Sequence, residues 1–218
     1  MFDLKQMLLS LPAILFAISI HEFSHAYTAT RLGDDTPRRQ GRLTLNPIAH
    51  FDLLGFIMLV VARFGWAKPV IIDPGAFKHR VRDELLVSVA GPLSNMITAV
   101  FFAGIMKLIF IFARGWLAIP NYGEALGMML VYFVVINIGL AIFNILPIPP
   151  LDGSHFLSAM IPDKYYQIKQ NIFRYGALIL VAIIVIERVT NLDILPIGNV
   201  IEFLVDRIFG LFGISLRG

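Results

Sequence analysis

"AISIHEFSHAYTA", Ala17–Ala29, places two histidines and a glutamate at the end of a run that is otherwise apolar from Met7 to Ile20. Asp, Glu and His are costly inside a bilayer, and where an apolar span carries them they usually mark function. On an α-helix, residues four apart are separated by about 400° of rotation and about 6 Å of rise, so His21 and His25 project from one face and can grip a single ion. Glu22 stands one residue on, close enough to reach a water beside that ion without being a ligand itself. This is the HExxH arrangement, for which zinc is the usual occupant. The ordinary alternative for the same residues is polar glue between spans.

Composition supports the membrane setting. Of 218 residues 57% are hydrophobic and only 15% charged, against about 25% charged in a soluble domain, and the mean hydropathy is +0.77. The bias recurs along the chain in segments of spanning length. With no cysteine, disulfides and thiolate ligation are excluded, and a metal must be held by imidazole and carboxylate. A net charge of +3 is too small to argue for nucleic acid. Lys5 and the apolar run after it imitate a signal peptide, but no small-residue cleavage site precedes His21, so the segment reads as a retained first span.

A span needs about 20 apolar residues. Four segments qualify: Met7 to Thr30, Leu85 to Ala113, Leu126 to Leu146 and Ile172 to Ile186. A fifth, Ile194 to Ile214, carries Glu202, Asp206 and Arg207 and either spans or lies in the interface. Phe51 to Phe64 has an apolar core of only about a dozen residues, which favours a re-entrant element. Basic residues flank it on both sides, Arg31, Arg38, Arg39 and Arg42 before, and Arg63, Lys68, Lys78, Arg80 and Arg82 after. The positive-inside rule sends both flanks to the cytoplasm. Lys164 and Lys169 then fall in a cytoplasmic loop, while Arg114 and Arg188 are the basic residues of the external connections. Within "GWAKPVIIDPG", Gly65–Gly75, the β-branched Val70, Ile71 and Ile72 between turn formers predict a short strand. The expected fold is an all-α polytopic membrane protein of about five transmembrane helices, with a re-entrant or short β element between the first and second spans. One membrane-embedded domain, 1–218, is expected, with a core at about 7–156 and C-terminal helices at about 172–214.

A catalytic zinc takes three protein ligands and keeps one position open. Asp152, His155 and His50 are the candidates for the third. Asp152 stands in "NILPIPPLDG", Asn144–Gly153, where Pro149 and Pro150 must interrupt a helix at the membrane edge. Irregular backbone at that depth is tolerated where it lines protein or a cavity, although an Asp-Gly pair is also a common turn. His21, His25 and Asp152 all lie at the inner ends of inward-going helices in the charge-derived topology, and so share a depth.

Taken together, "HEFSH", "GWAKPV", "AGPLSN" and "NILPIPPLDG" resemble the site-2 protease family of intramembrane zinc metalloproteases, over about Pro12 to Phe156. The resemblance implies His21, His25 and Asp152 as ligands of one Zn2+ and Glu22 as catalytic acid/base. It further implies Asn144 as the residue that helps hold the scissile carbonyl or developing oxyanion. Val70 and Ile71 are expected to bind substrate by β-addition. Asn95 is expected either to join them or to support the site through inter-span hydrogen bonds. The chain resembles the compact branch, without room for a PDZ or CBS domain. The expected activity is hydrolysis of peptide bonds in or near transmembrane segments of membrane proteins in the cell membrane, close to its cytoplasmic face. Expected partners are those segments and the lipid bilayer, with no nucleic acid. The rival is a transporter or metal carrier using the same ionisable residues as an ion path.

Overall fold

The computed structural model describes residues 4–62, 65–190, 192 and 194–214. Arg63 lies outside them, as does the side chain of Arg188. The first helices in chain order are α1 (Leu4–Arg31), α2 (Thr36–Arg39), α3 (Pro47–His50), α4 (Leu53–Ala62) and α5 (Arg80–Phe112). Then follow α6 (Arg114–Leu117), α7 (Tyr122–Ile145), α8 (Ser154–Met160), α9 (Tyr166–Thr190) and α10 (Ile197–Leu211).

Four of these, α1, α5, α7 and α9, are long and apolar enough to cross a membrane. The expectation of about five spans is corrected at the last segment. Pro196 opens α10, and Gly213, with φ +63°, closes the turn beyond it. Those two residues leave a 15-residue helix, about 22 Å long against a hydrocarbon core of about 30 Å. Its Val205, Ile208 and Phe209 are buried against α5 and α7.

The bundle centre is built on small residues. Ala13, Ala17, His21, His25 and Ala29 recur every fourth position of α1 and are all buried. Gly91, Asn95, Ala99 and Ala103 make the same stripe on α5. Small residues let helix backbones approach without a hydrophobic force between them, which is how helices associate in lipid. The hydroxyls of Ser19, Ser24 and Thr30 fold back on carbonyls one turn earlier, so these three side chains are not left bare in lipid. α1 and α7 run parallel, as the Lys5–Glu124 ion pair at their first turns indicates. Phe16 of α1 meets Phe133 of α7 and Phe102 of α5 edge-on, and Phe102 and Phe133 stack at 4.1 Å.

The predicted strand is not formed: among the described residues there is no β-structure, and 65–73 has no regular secondary structure. A strand needs a partner ladder, and the Val70 N–H bonds to the Glu22 carboxylate instead. α4 has 10 residues, about 15 Å and half a hydrocarbon core. The chain after it doubles back, because a Cβ on Gly55 would lie 2.1 Å from the Trp66 carbonyl oxygen and one on Gly65 would lie 2.3 Å from that of Gly55. Only glycine permits this approach.

Candidate metal centre

His21 and His25 are one turn apart on the buried stripe of α1, with rings edge to face at 4.6 Å and Nε2 atoms 3.0 Å apart. Asp152 arrives from the other side. Pro147, Pro149 and Pro150 have no N–H to continue α7, and the Gly153 N–H turns back to the Asn144 carbonyl at 2.7 Å. A Cβ on Gly153 would meet the Ile145 carbonyl oxygen at 2.0 Å, so this reversal needs glycine. The Ser88 hydroxyl of α5 donates to the Asp152 carbonyl at 2.5 Å and pins the loop. Asp152 Oδ2 then lies 3.1 Å from His21 Nε2 and 3.3 Å from His25 Nε2.

Which ring nitrogens carry protons follows from their neighbours. His25 Nδ1 is 2.8 Å from the Val87 carbonyl, which can only accept, so Nδ1 donates. His21 Nδ1 is 2.6 Å from Asn95 Oδ1. The Asn95 amide is oriented by its own Nδ2, which donates to the Ala17 carbonyl and to Asn137 Oδ1. Asn137 is oriented in turn by donating to the Phe133 carbonyl. In the neutral rings these contacts leave a bare lone pair on each Nε2, so two nitrogen lone pairs and a carboxylate oxygen converge, and Oδ2 has no hydrogen-bond partner.

Such a cluster is repulsive unless a cation sits among its members. Donors about 2.0–2.1 Å from a tetrahedral zinc are about 3.3 Å apart, close to the separations here, and second-shell acceptors on the far ring nitrogens are usual for zinc histidines. The residues fit the metal.

A cavity of about 610 Å³ opens on the cluster, and Glu22, Asn144, Val70, Ile72 and His155 are among its walls. Glu22 Oε2 accepts from the Val70 N–H at 3.0 Å. Asn144 Nδ2 donates to the Leu140 carbonyl at 2.9 Å and keeps a second N–H. Of the candidate third ligands, the structure brings Asp152 to the histidines. His155 lines the same cavity outside the cluster, and His50 is buried elsewhere with Nε2 on the Thr44 carbonyl.

Two residues named as substrate contacts lie off the cavity wall. Asn95 is fully buried behind His21 and does not reach the cavity. Ile71 is 62% exposed and absent from the wall, whereas Val70 and Ile72 form it. Sequence reasoning also missed Ser88, Gly91 and Asn137. Ser88, Gly91 and Asn95 share one face of α5, a small-and-polar pattern in an apolar span that was there to be read. A Cβ on Gly91 would fall 2.4 Å from His25 Nε2.

The profile of "Peptidase family M50" matches residues 118–186, which includes Asp152 but not the histidine pair. A Bacillus subtilis protein named "Putative zinc metalloprotease YwhC" is 40% identical over 149 residues, covering 68% of this chain and 67% of the relative. A Mycolicibacterium smegmatis protein named "Putative zinc metalloprotease Rip2" is 29% identical over 182 residues, 78% of this chain and 64% of its own. A Methanocaldococcus jannaschii protein named "Putative zinc metalloprotease MJ0611" is 32% identical over 163 residues, 72% of each. No solved structure matches the chain. The chain belongs to peptidase family M50, the site-2 protease family of zinc metalloendopeptidases.

Proposed function

We propose that this protein hydrolyses peptide bonds in or near the transmembrane segments of other membrane proteins, close to the cytoplasmic face of the cell membrane. His21, His25 and Asp152 hold zinc, Glu22 is the acid/base and Asn144 the oxyanion donor. The observation that carries the reading is the convergence of His21, His25 and Asp152 in one cavity with Glu22, the histidines and the glutamate on a helix long enough to cross a bilayer.

Zinc in such a site supplies Lewis acidity, polarising a carbonyl and acidifying water to a pKa of about 7. Glu22 takes the proton from the attacking water and passes it to the leaving amine. The Val70 N–H aims the Glu22 carboxylate in the meantime. The second N–H of Asn144 is directed to the developing oxyanion. A helical substrate must unwind before attack, and β-addition along 70–72 then uses backbone groups other than the Val70 N–H, which Glu22 holds.

The basic residues support the location. Arg31 ends α1, and Arg38, Arg39, Lys78, Arg80 and Arg82 cluster in sequence around the same connection. His21 lies ten residues before Arg31, about 15 Å along the axis. The fold-back of 65–66 on α4 supports a re-entrant path for α3 and α4 on that side.

Zinc analysis of detergent-purified protein, paired with cleavage of a model transmembrane peptide, tests the reading. Glu22→Gln is expected to retain zinc and to lower cleavage by at least about 10²-fold. Zinc retention with undiminished cleavage would remove Glu22 from its role. A metal carrier would show zinc without cleavage in either protein.

A further inference from the structure

A second cavity, about 400 Å³ in volume, adjoins the catalytic one. Ile18, Trp66, Leu140 and Phe143 line both. Ile18 stands one turn before Glu22 on α1, and Leu140 stands one turn before Asn144 on α7, where its carbonyl accepts from the Asn144 amide. The passage between the cavities therefore runs about one helical turn, or about 5.4 Å of axis, from the acid/base and the oxyanion donor. Every residue that α1 and α7 give to the second cavity precedes Glu22 and Asn144 in sequence, and the two helices run parallel. The pocket thus lies on the amino-terminal side of the cluster along both axes, which in the proposed topology is the side of the bilayer centre.

Four helices supply its apolar walls, with Leu15 of α1, Leu59 of α4, Ile136 of α7 and Ile201 of α10 among them. Gly139 of α7 keeps it open, since a Cβ there would already touch Ile201 Cδ1 at 3.6 Å. Among the described residues, His50 and Asp52 are the ionisable groups that line it. Both are engaged by backbone: His50 is 1% exposed with Nε2 on the Thr44 carbonyl, and Asp52 Oδ1 accepts from the Gly55 N–H at 2.7 Å at the start of α4. A dry apolar cavity of about 150 Å³ holds benzene, so one of about 400 Å³ has room for a large apolar side chain. The opposite side of the cluster is different. α5 is antiparallel to α1, because His21 meets Asn95 and His25 meets Val87. Glu84 of α5, which lines the catalytic cavity, therefore lies beyond the cluster on the side away from the pocket. The two sides of a bond held at the metal meet different surroundings, an apolar pocket on one and an acidic residue on the other.

We propose that this cavity binds a bulky apolar side chain, leucine or phenylalanine, of a substrate residue within two positions of the scissile bond on its bilayer-centre side, and that Gly139 and Ile201 set the room it offers. The proposal rests on the protease reading above. An unwound substrate advances about 3.3 Å per residue, so a side chain in the passage belongs to the first or second residue from the bond. Residues on that side come from the embedded, apolar part of a transmembrane segment. A charged side chain would be desolvated among these walls at a high cost, and alanine would leave most of the volume empty and its contacts unmade. A lipid acyl chain would also suit the walls. The pocket opens, however, through residues one turn from Glu22 and Asn144, where a peptide held for cleavage must lie.

The test uses the full-length, detergent-purified, zinc-loaded protein and model transmembrane peptides with one mapped cleavage site, differing only at the two residues on either side of it. Leucine and alanine are both strong helix formers, so exchanging them leaves the cost of unwinding nearly the same. On the side nearer the middle of the apolar stretch, replacing leucine by alanine at one of the two positions is expected to lower kcat/KM at least about tenfold. The same change on the other side has no comparable effect. In Gly139→Leu, whose side chain fills the space, the ratio falls to about one. Equal kcat/KM on the bilayer-centre side, a preference confined to the other side, or one that survives Gly139→Leu overturns the proposal. Should Gly139→Leu lose its zinc or helix content, Ile201→Trp fills the same space from α10 and must lower the ratio; an unchanged ratio overturns the proposal equally. Equal rates together with phospholipid that co-purifies with the wild type and not with Gly139→Leu would assign the pocket to an acyl chain instead. Peptide binding to Glu22→Gln by fluorescence anisotropy separates the pocket from the protease reading. Tighter binding of the leucine peptide without cleavage by the wild type sinks the protease reading and leaves the pocket. Cleavage with equal binding and equal kcat/KM for the leucine and alanine peptides sinks the pocket alone.

Discussion

Gly91 is the residue on which the geometry of the metal cluster makes its sharpest demand. An alanine there would place Cβ 2.4 Å from His25 Nε2 and 2.7 Å from the Cε1 atoms of both His21 and His25. Non-bonded carbon contacts are comfortable at about 3.5–4.0 Å, so the rings must retreat by about 1 Å. Zinc–ligand distances tolerate about 0.2 Å. Overpacking of this kind costs about 1–3 kcal/mol. The least costly relief is to turn His25 away from the cluster, against its hydrogen bond to the Val87 carbonyl. At about 1.4 kcal/mol per tenfold, zinc affinity falls about 5- to 150-fold. Competition against a chromogenic chelator measures it, with far-UV circular dichroism to establish that the helices persist. Gly127→Ala on α7 is the control, because a Cβ there meets open space, and it should bind zinc like the wild type. A Gly91→Ala protein with wild-type zinc affinity would refute the close packing of α5 on the imidazoles and the ligand geometry derived from it.

Two further outcomes follow from the hydrogen bonds around the site. Asn95→Leu keeps the side-chain volume but removes the acceptor that holds His21 Nδ1–H. Zinc affinity should drop about 10–100-fold, and an unchanged dissociation constant by the same competition would show that the amide is only packing. Val70→Pro deletes the N–H that aims Glu22. Cleavage of a model transmembrane peptide should fall by at least about tenfold while zinc content by elemental analysis stays at the wild-type level, and full activity would remove the 65–73 segment from the site.

Much of the site was legible because its chemistry is local. HExxH fixes three groups within two helical turns, and the helix alone brings His21 and His25 to one face. Asp152 was legible only as one of three candidates: prolines that must break a membrane helix announce irregular backbone where a ligand can stand, but an Asp-Gly pair is also a common turn. The helix count was less legible. Hydropathy measures how apolar a stretch is and not where its backbone turns, so Ile194 to Ile214 resembled a span until Pro196 and Gly213 showed where the helix ends. The strand at 70–72 failed because β-propensity reports fitness for a sheet, and among the described residues no strand is present to pair with it.

The sequence by itself determined the membrane setting, the paired histidines and the adjoining glutamate, since composition and helical periodicity are properties of neighbouring residues. Only the tertiary structure decided which acid joins them, why Gly91 must have no side chain, and how Asn137 and Asn95 orient His21. Those facts depend on the approach of α5 and α7 to α1 within a few ångströms, and separations between distant parts of a chain are not encoded in any single stretch of it.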